Sequence, residues 1–225
     1  MRRIALAFVL AAALAAPSAI AQGAPAPSAL TQAISATAAA RVAYAFDVEL
    51  TSSRMNWRAR FDPSADPRVR LLSPARDSLT GGQRRAFDKY AEETDGLSWC
   101  ANDYMGRVAD VRLVSEDASS ATYSFQPTPE SIRSEESRRF ARHMRGEMTI
   151  TKDNADITRV RIYAPDGFSP APLVQLTHMS IVFRCAPAPN GRRYAAETVT
   201  EMRGTAFGRT FEERSVQRAS NLSAP

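Results

Sequence analysis

The 225 residues carry 29 basic against 24 acidic groups, a net charge of +5, with 44% hydrophobic residues. That length allows one domain with a sizeable core. The basic excess is slight and interspersed with carboxylates, as at Arg133, Glu135, Glu136, Arg138 and Arg139, which describes a solvated mixed surface and argues against a nucleic-acid-binding face.

Arg2 and Arg3 precede an apolar run from Ile4 to Ala16, Pro17 breaks it, and Ala19-Ile20-Ala21 has the small-x-small pattern of a signal-peptidase site. The run is shorter than the roughly 20 residues a membrane-spanning helix needs, and none like it follows. Residues 1–21 therefore read as a cleavable leader in preference to a buried helix. The general secretory route is preferred to the twin-arginine one. No cysteine follows the run to carry a lipid, so the expected product is a free periplasmic or secreted protein that does not span the membrane. Residues 22–29, with Pro25 and Pro27, read as a flexible linker, 30–217 as a single domain, and 218–225 as a C-terminal tail.

Ser28 to Ala40, rich in Ala with Leu30 and Ile34, is a helix candidate. Period-two alternation then marks half-buried strands. Val42, Tyr44, Phe46, Val48 and Leu50 share one face, and Met55, Trp57, Ala59 and Phe61 share another across the Thr51-Ser52-Ser53 turn, which makes a hairpin. Val69 to Leu72 is a further strand. Thr80 and Gln83 fit a capping box opening a helix with Ala86, Phe87, Tyr90 and Ala91 on its apolar stripe, stopped by Asp95-Gly96. Strands resume at 108–114 and 121–125. The charged 127–145 stretch suggests a short helix. Residues 146–152 and 157–164 form a hairpin about Asp153-Asn154-Ala155-Asp156. Pro165 to Pro172 reads as a loop, 176–185 and 194–203 as strands about the Asn190-Gly191 turn, and 207–217 as a last extended stretch. About nine strands with two or three helices predict an α+β, mainly β fold. In it a curved antiparallel sheet is closed or half-closed, with the helices packed on its apolar side.

No residue pattern supports catalysis, so the chain is not expected to be an enzyme or to hold a cofactor. His143 and His178 lack a second ligand at metal spacing. No serine sits in a Gly-x-Ser-x-Gly elbow, and Gly81-Gly82 lacks the Lys and Ser/Thr of a phosphate loop. Glu92-Glu93 and Glu212-Glu213 are adjacent in sequence with nothing to make them converge. Cys100 and Cys185 belong to no CxxC motif. In an exported chain they permit one disulfide, with a buried free thiol as the alternative. Tyr44, Phe46, Trp57, Phe61, Tyr123, Phe125, Met148, Ile150, Ile181 and Phe183 are placed on the inner face of the sheet. There they either pack as an ordinary core or line an incompletely filled apolar cavity.

Phe46-Asp47-Val48-Glu49-Leu50, Trp57-Arg58-Ala59-Arg60-Phe61 and the hairpin from Gly146-Glu147-Met148-Thr149-Ile150-Thr151-Lys152 to Thr158-Arg159-Val160-Arg161-Ile162-Tyr163-Ala164, behind a leading helix, resemble the periplasmic lipoprotein carriers. This superfamily comprises LolA-like and RseB-like lipoprotein-sorting domains. The resemblance covers residues 30 to 217 and rests on patterning. It implies an unclosed β-barrel capped by helices, a cavity that accepts acyl chains, and a mobile helical lid. The arginine-rich middle and the proline-rich loop depart from the family pattern. Three functions compete: a binding module for lipid or lipoprotein acyl chains, an envelope sensor or scaffold binding a protein partner, and, last, an envelope hydrolase.

Overall fold

The computed structural model describes residues 28–38, 43–100, 107–132 and 135–224; the leader and most of the linker expected above lie outside them. Eleven strands stand among these residues: β1 (Ala45–Ser52), β2 (Asn56–Phe61), β3 (Val69–Ser73), β4 (Ala109–Glu116), β5 (Ser120–Gln126), β6 (Arg145–Thr151), β7 (Ile157–Ala164), β8 (Phe168–Ala171), β9 (Val174–Pro187), β10 (Arg193–Ala206) and β11 (Arg209–Ser223). They pair antiparallel in the order β3-β2-β1-β11-β10-β9-β7-β6-β5-β4, with β8 paired to β9. The edges β3 and β4 do not pair with each other, so the barrel is unclosed, as the family resemblance implied. Helices α1 (Ser28–Ala38) and α2 (Gly81–Glu93) cover its inner face.

Cross-strand register explains which side chains face inward. One row runs Tyr123, Met148, Val160, Phe183, Thr198, Gln217, Leu50, Trp57 across eight strands. One position along, the opposite face carries Arg159, Arg184, Glu197, Arg218, Glu49 and Arg58, with Glu197 paired to Arg184 at 2.7 Å and to Arg218 at 2.9 Å. Exposed pairs of this sort add little stability; the ladder serves to keep that face in water.

The inner row is apolar at both ends, and each end has its own core. Leu30 and Ala33 of α1 pack with Tyr123, Phe125, Met148, Ile150, Ile157 and Val160. Phe87 of α2 packs with Tyr44, Phe46, Trp57, Ala59 and Phe61. The capping box that starts α2 is present, with Thr80 Oγ1 accepting from Gln83 N and Gln83 Oε1 accepting from Thr80 N at 2.9 Å. Phe87 meets the Trp57 ring edge-on at 5.5 Å and Tyr90 lies 4.7 Å from it, so this aromatic trio fixes α2 on the sheet.

Two expectations are corrected. The loop expected over 165–172 contains β8, which pairs Phe168 with Leu176 and Ala171 with Val174. Its proline content is tolerated because β8 has only one neighbour and needs few backbone donors. The tail expected from 218 continues β11 to Ser223, bonded along β1 from Glu49–Arg218 to Ala45–Ser223. A bulge near Ala45–Asp47 is accommodated by Asn221, whose φ of 54° is the left-handed conformation Asn tolerates best after Gly. Its side chain donates to Asp47 Oδ2 at 2.7 Å.

Candidate ligand-binding cavity

Beside the α1 core the inner face is not filled. A cavity of about 200 Å³ is lined by Ser98, Trp99, Cys100, Val108, Phe125, Pro127, Ser131, Ile132, Met144, Val160, Ile162 and Phe183. Its floor is sheet: Phe125 comes from β5, Val160 and Ile162 from β7, and Phe183 from β9. Its far wall is chain without regular structure, and two devices hold that wall in place.

The first is residues 97–100. β11 leaves β10 beyond the Glu197–Arg218 pair, and this short extended piece takes its place. Ser98 O accepts from Ala195 N at 2.9 Å and Cys100 N donates to Arg193 O at 3.1 Å. Cys100 is then joined to Cys185 of β9 by a disulfide. Trp99 faces the cavity with the Arg192 guanidinium 4.2 Å from its ring centroid. The second device is Gln126, whose amide nitrogen donates to the carbonyls of Ala141 at 2.8 Å and Met144 at 2.9 Å. That ties the Pro127–Met144 crossing to the end of β5.

Gly146 sets the depth of the floor. A Cβ there would lie 2.1 Å from two ring carbons of Phe125, its cross-strand partner. Only glycine lets that ring lie flat on β6 and leave space above it.

A second hollow of about 580 Å³ lies where α2 meets the sheet, bounded by Leu50, Met55, Gln83, Ala86, Glu213 and Ser215 among others. It is a mixed surface, crossed by the Arg54–Glu213 pair at 3.5 Å. Along the inner row, Phe183 borders the first cavity and Leu50 the second. Between them lie Thr198 and Gln217, and the next inner positions are Ile181, Thr200 and Ser215, all half-buried. The concave face is thus apolar at each end and lined with hydroxyl and amide groups in the middle.

Of the ten residues expected on this face, Phe125 and Phe183 line the cavity. Tyr44, Phe46, Trp57 and Phe61 are buried in the α2 core, and Tyr123, Met148 and Ile150 in the α1 core. Ile181 lies half-buried on the open middle of the inner face. The remaining lining comes from 98–100, 108, 127–132, Met144 and β7. Val160 and Ile162 could have been placed by the same alternation that placed Met148.

Chemically, the site offers packing and hydrogen bonding. Among the described residues no three His, Cys, Asp or Glu side chains are grouped to hold a metal. His143 stacks on Phe168 at 5.0 Å, and His178 stands opposite Arg203 on the outer face. Burial pushes the Tyr194 phenol, at the foot of the 97–100 segment, above its ordinary range.

No family model matches the chain, and no curated protein does. Among solved structures it is similar to a LolA superfamily protein from Nitrosomonas europaea, at 11% identity and a TM-score of 0.45, over 88% of this chain and 92% of that one.

Proposed function

We propose that this protein is a non-enzymatic binding module of the cell envelope that holds a lipid or lipoprotein acyl chain on its concave face. The observation that carries the reading is the apolar cavity walled by Trp99, Phe125, Ile132, Ile162 and Phe183. Small-ligand sites typically enclose about 300–1,000 Å³, so a space of about 200 Å³ suits the end of one alkyl chain better than a whole lipid. The neighbouring Thr198, Thr200, Ser215 and Gln217 offer hydrogen bonds to the polar part of the same ligand. Export by the N-terminal leader would bring the module to such ligands.

The test is native mass spectrometry of the purified protein with palmitate and with a dipalmitoyl phospholipid. Wild type should retain one acyl ligand, and Ile162→Trp, which fills the cavity, should retain none. Wild type that carries neither probe, or Ile162→Trp that carries them equally well, overturns the proposal.

A further inference from the structure

Two tight turns end side by side at one rim of the sheet. The β8–β9 turn is Pro172-Leu173, closed by the Ala171–Val174 pair, and the β10–β11 turn is Phe207-Gly208, closed by Ala206–Arg209. Ala206 also pairs with Val174, and Phe207 N donates to Leu173 O at 2.9 Å. The two tips are therefore one rigid unit.

Their residues are unusual for their backbone. Leu173 has φ 61°, Phe207 φ 52° and Gly208 φ 75°. Proline followed by a left-handed residue is the type II pattern, and two left-handed residues together are the type I′ pattern. Glycine or asparagine meets both demands without steric cost. Leucine and phenylalanine do not, and they gain no core contact in return. Leu173 is 73% exposed and Phe207 75%, more than Leu72, Leu113 or Val114. Folding alone favours other residues at both positions.

A cationic flank lies behind the tips. Phe140 and His143 pack on Phe168 of β8 at 5.4 and 5.0 Å, which brings the 138–145 stretch against the hairpin. Arg138, Arg139, Arg142 and Arg145 are all exposed. Among the described residues Arg138 contacts the Ile132 carbonyl, Arg139 the Phe140 ring, Arg142 His143, and Arg145 the Met144 carbonyl and Gln126 Oε1, and no carboxylate lies within ion-pair distance. Leu173 is three residues beyond Leu176, the partner of Phe168, so the apolar tips stand about 10 Å past this flank.

We propose that this rim docks the protein on an anionic lipid bilayer. Leu173 and Phe207 enter the boundary between headgroups and acyl chains, and the four arginines meet lipid phosphates. Two exposed apolar side chains projecting from adjacent tips match a fluid apolar phase. The unpaired arginines match a surface of negative charge. The proposal is independent of what the concave cavity holds.

Vesicle flotation of the full chain tests it, using vesicles of phosphatidylglycerol and phosphatidylethanolamine and, separately, of phosphatidylcholine. The double variant Leu173→Gly/Phe207→Asn suits both turns, so its melting temperature should equal or exceed that of wild type. Wild type should float with the anionic vesicles, on the order of tenfold more than with the neutral ones and tenfold more than the double variant. Arg139→Gln/Arg142→Gln should weaken flotation and flatten its salt dependence. Wild type that stays in solution, a double variant that floats equally well, or wild type that only self-associates through its tips would each overturn the proposal.

Discussion

Cys100 is bonded to Cys185, 85 residues later, and so attaches the short 97–100 segment to the 14-residue strand β9 in the middle of the sheet. Two backbone hydrogen bonds alone would hold residues 98–100 to β10, and Trp99 and Cys100 are cavity wall. Replacing both cysteines by alanine should cost about 3–4 kcal/mol, most of it through the freed unfolded chain. It should also weaken acyl-ligand retention by loosening that wall. Urea denaturation of the double variant measures the first effect, and native mass spectrometry the second. Unchanged ligand retention would mean that the wall stands without its covalent tie.

The Gly146–Phe125 contact makes a sharper prediction about the floor. In Gly146→Ala the new methyl group collides with the ring, and the open space beside the ring is the cavity it lines. Overpacking of this kind costs about 1–3 kcal/mol. A stability loss in that range together with loss of the acyl ligand is the expected outcome, read by denaturation and ligand titration. An equal stability loss with ligand affinity intact would show that Phe125 yields in another direction.

How far the sequence discloses this site depends on which backbone carries each residue. Strand side chains follow period two, so Phe125 and Phe183 are legible as inward-facing, and the capping residues Thr80 and Gln83 announce α2 outright. The cavity wall obeys no period. Ser98 to Cys100 reaches the site because β11 ends its pairing with β10 at Glu197, and Met144 is held there by the Gln126 amide. Neither relation leaves a local pattern. The aromatic residues from Tyr44 to Phe61 were legible as apolar and inward, yet alternation alone does not say that α2 would cover them and fill that end of the barrel. The second half of β11 was hidden for another reason. Beyond Arg218 the apolar residues Ala219 and Leu222 stand three apart, across the bulge opposite Ala45–Asp47, and without period-two alternation a strand looks like a tail.

Helix α2 separates two magnitudes. Thr80→Ala removes the acceptor for Gln83 N and should cost about 1 kcal/mol. Phe87→Ala empties the space beside Trp57 and should cost about 3–4 kcal/mol. For a domain of this size the first lowers the melting temperature by about 2–4 °C and the second by roughly three times as much. Calorimetry of the two variants decides the matter. Comparable losses would mean that the end of the helix, and not its buried face, secures it to the sheet.

The β4–β5 turn supplies a pH test. Asp117 accepts from Ser119 N at 2.8 Å and Ser120 N at 2.7 Å, and from both hydroxyls at 3.0 Å. These bonds, the backbone ones foremost, favour the carboxylate and lower its pKa to about 2 from 3.8. Because the folded value is the lower one, the turn's contribution is complete above the unfolded pKa. It is lost as pH falls through about 2. Asp117→Asn keeps an acceptor oxygen and removes the charge, so the variant should be slightly less stable than wild type from pH 7 down to about 4.5 and then converge with it toward pH 2. Asp47 is also lowered, first by the hydrogen bond from Asn221 and then by those and the charge of Arg60. It is unaltered in the variant and cancels from the difference. Urea midpoints of the two proteins at a series of pH values provide the measurement. A gap that stays constant down to pH 2 would show that the turn draws nothing from the carboxylate's charge.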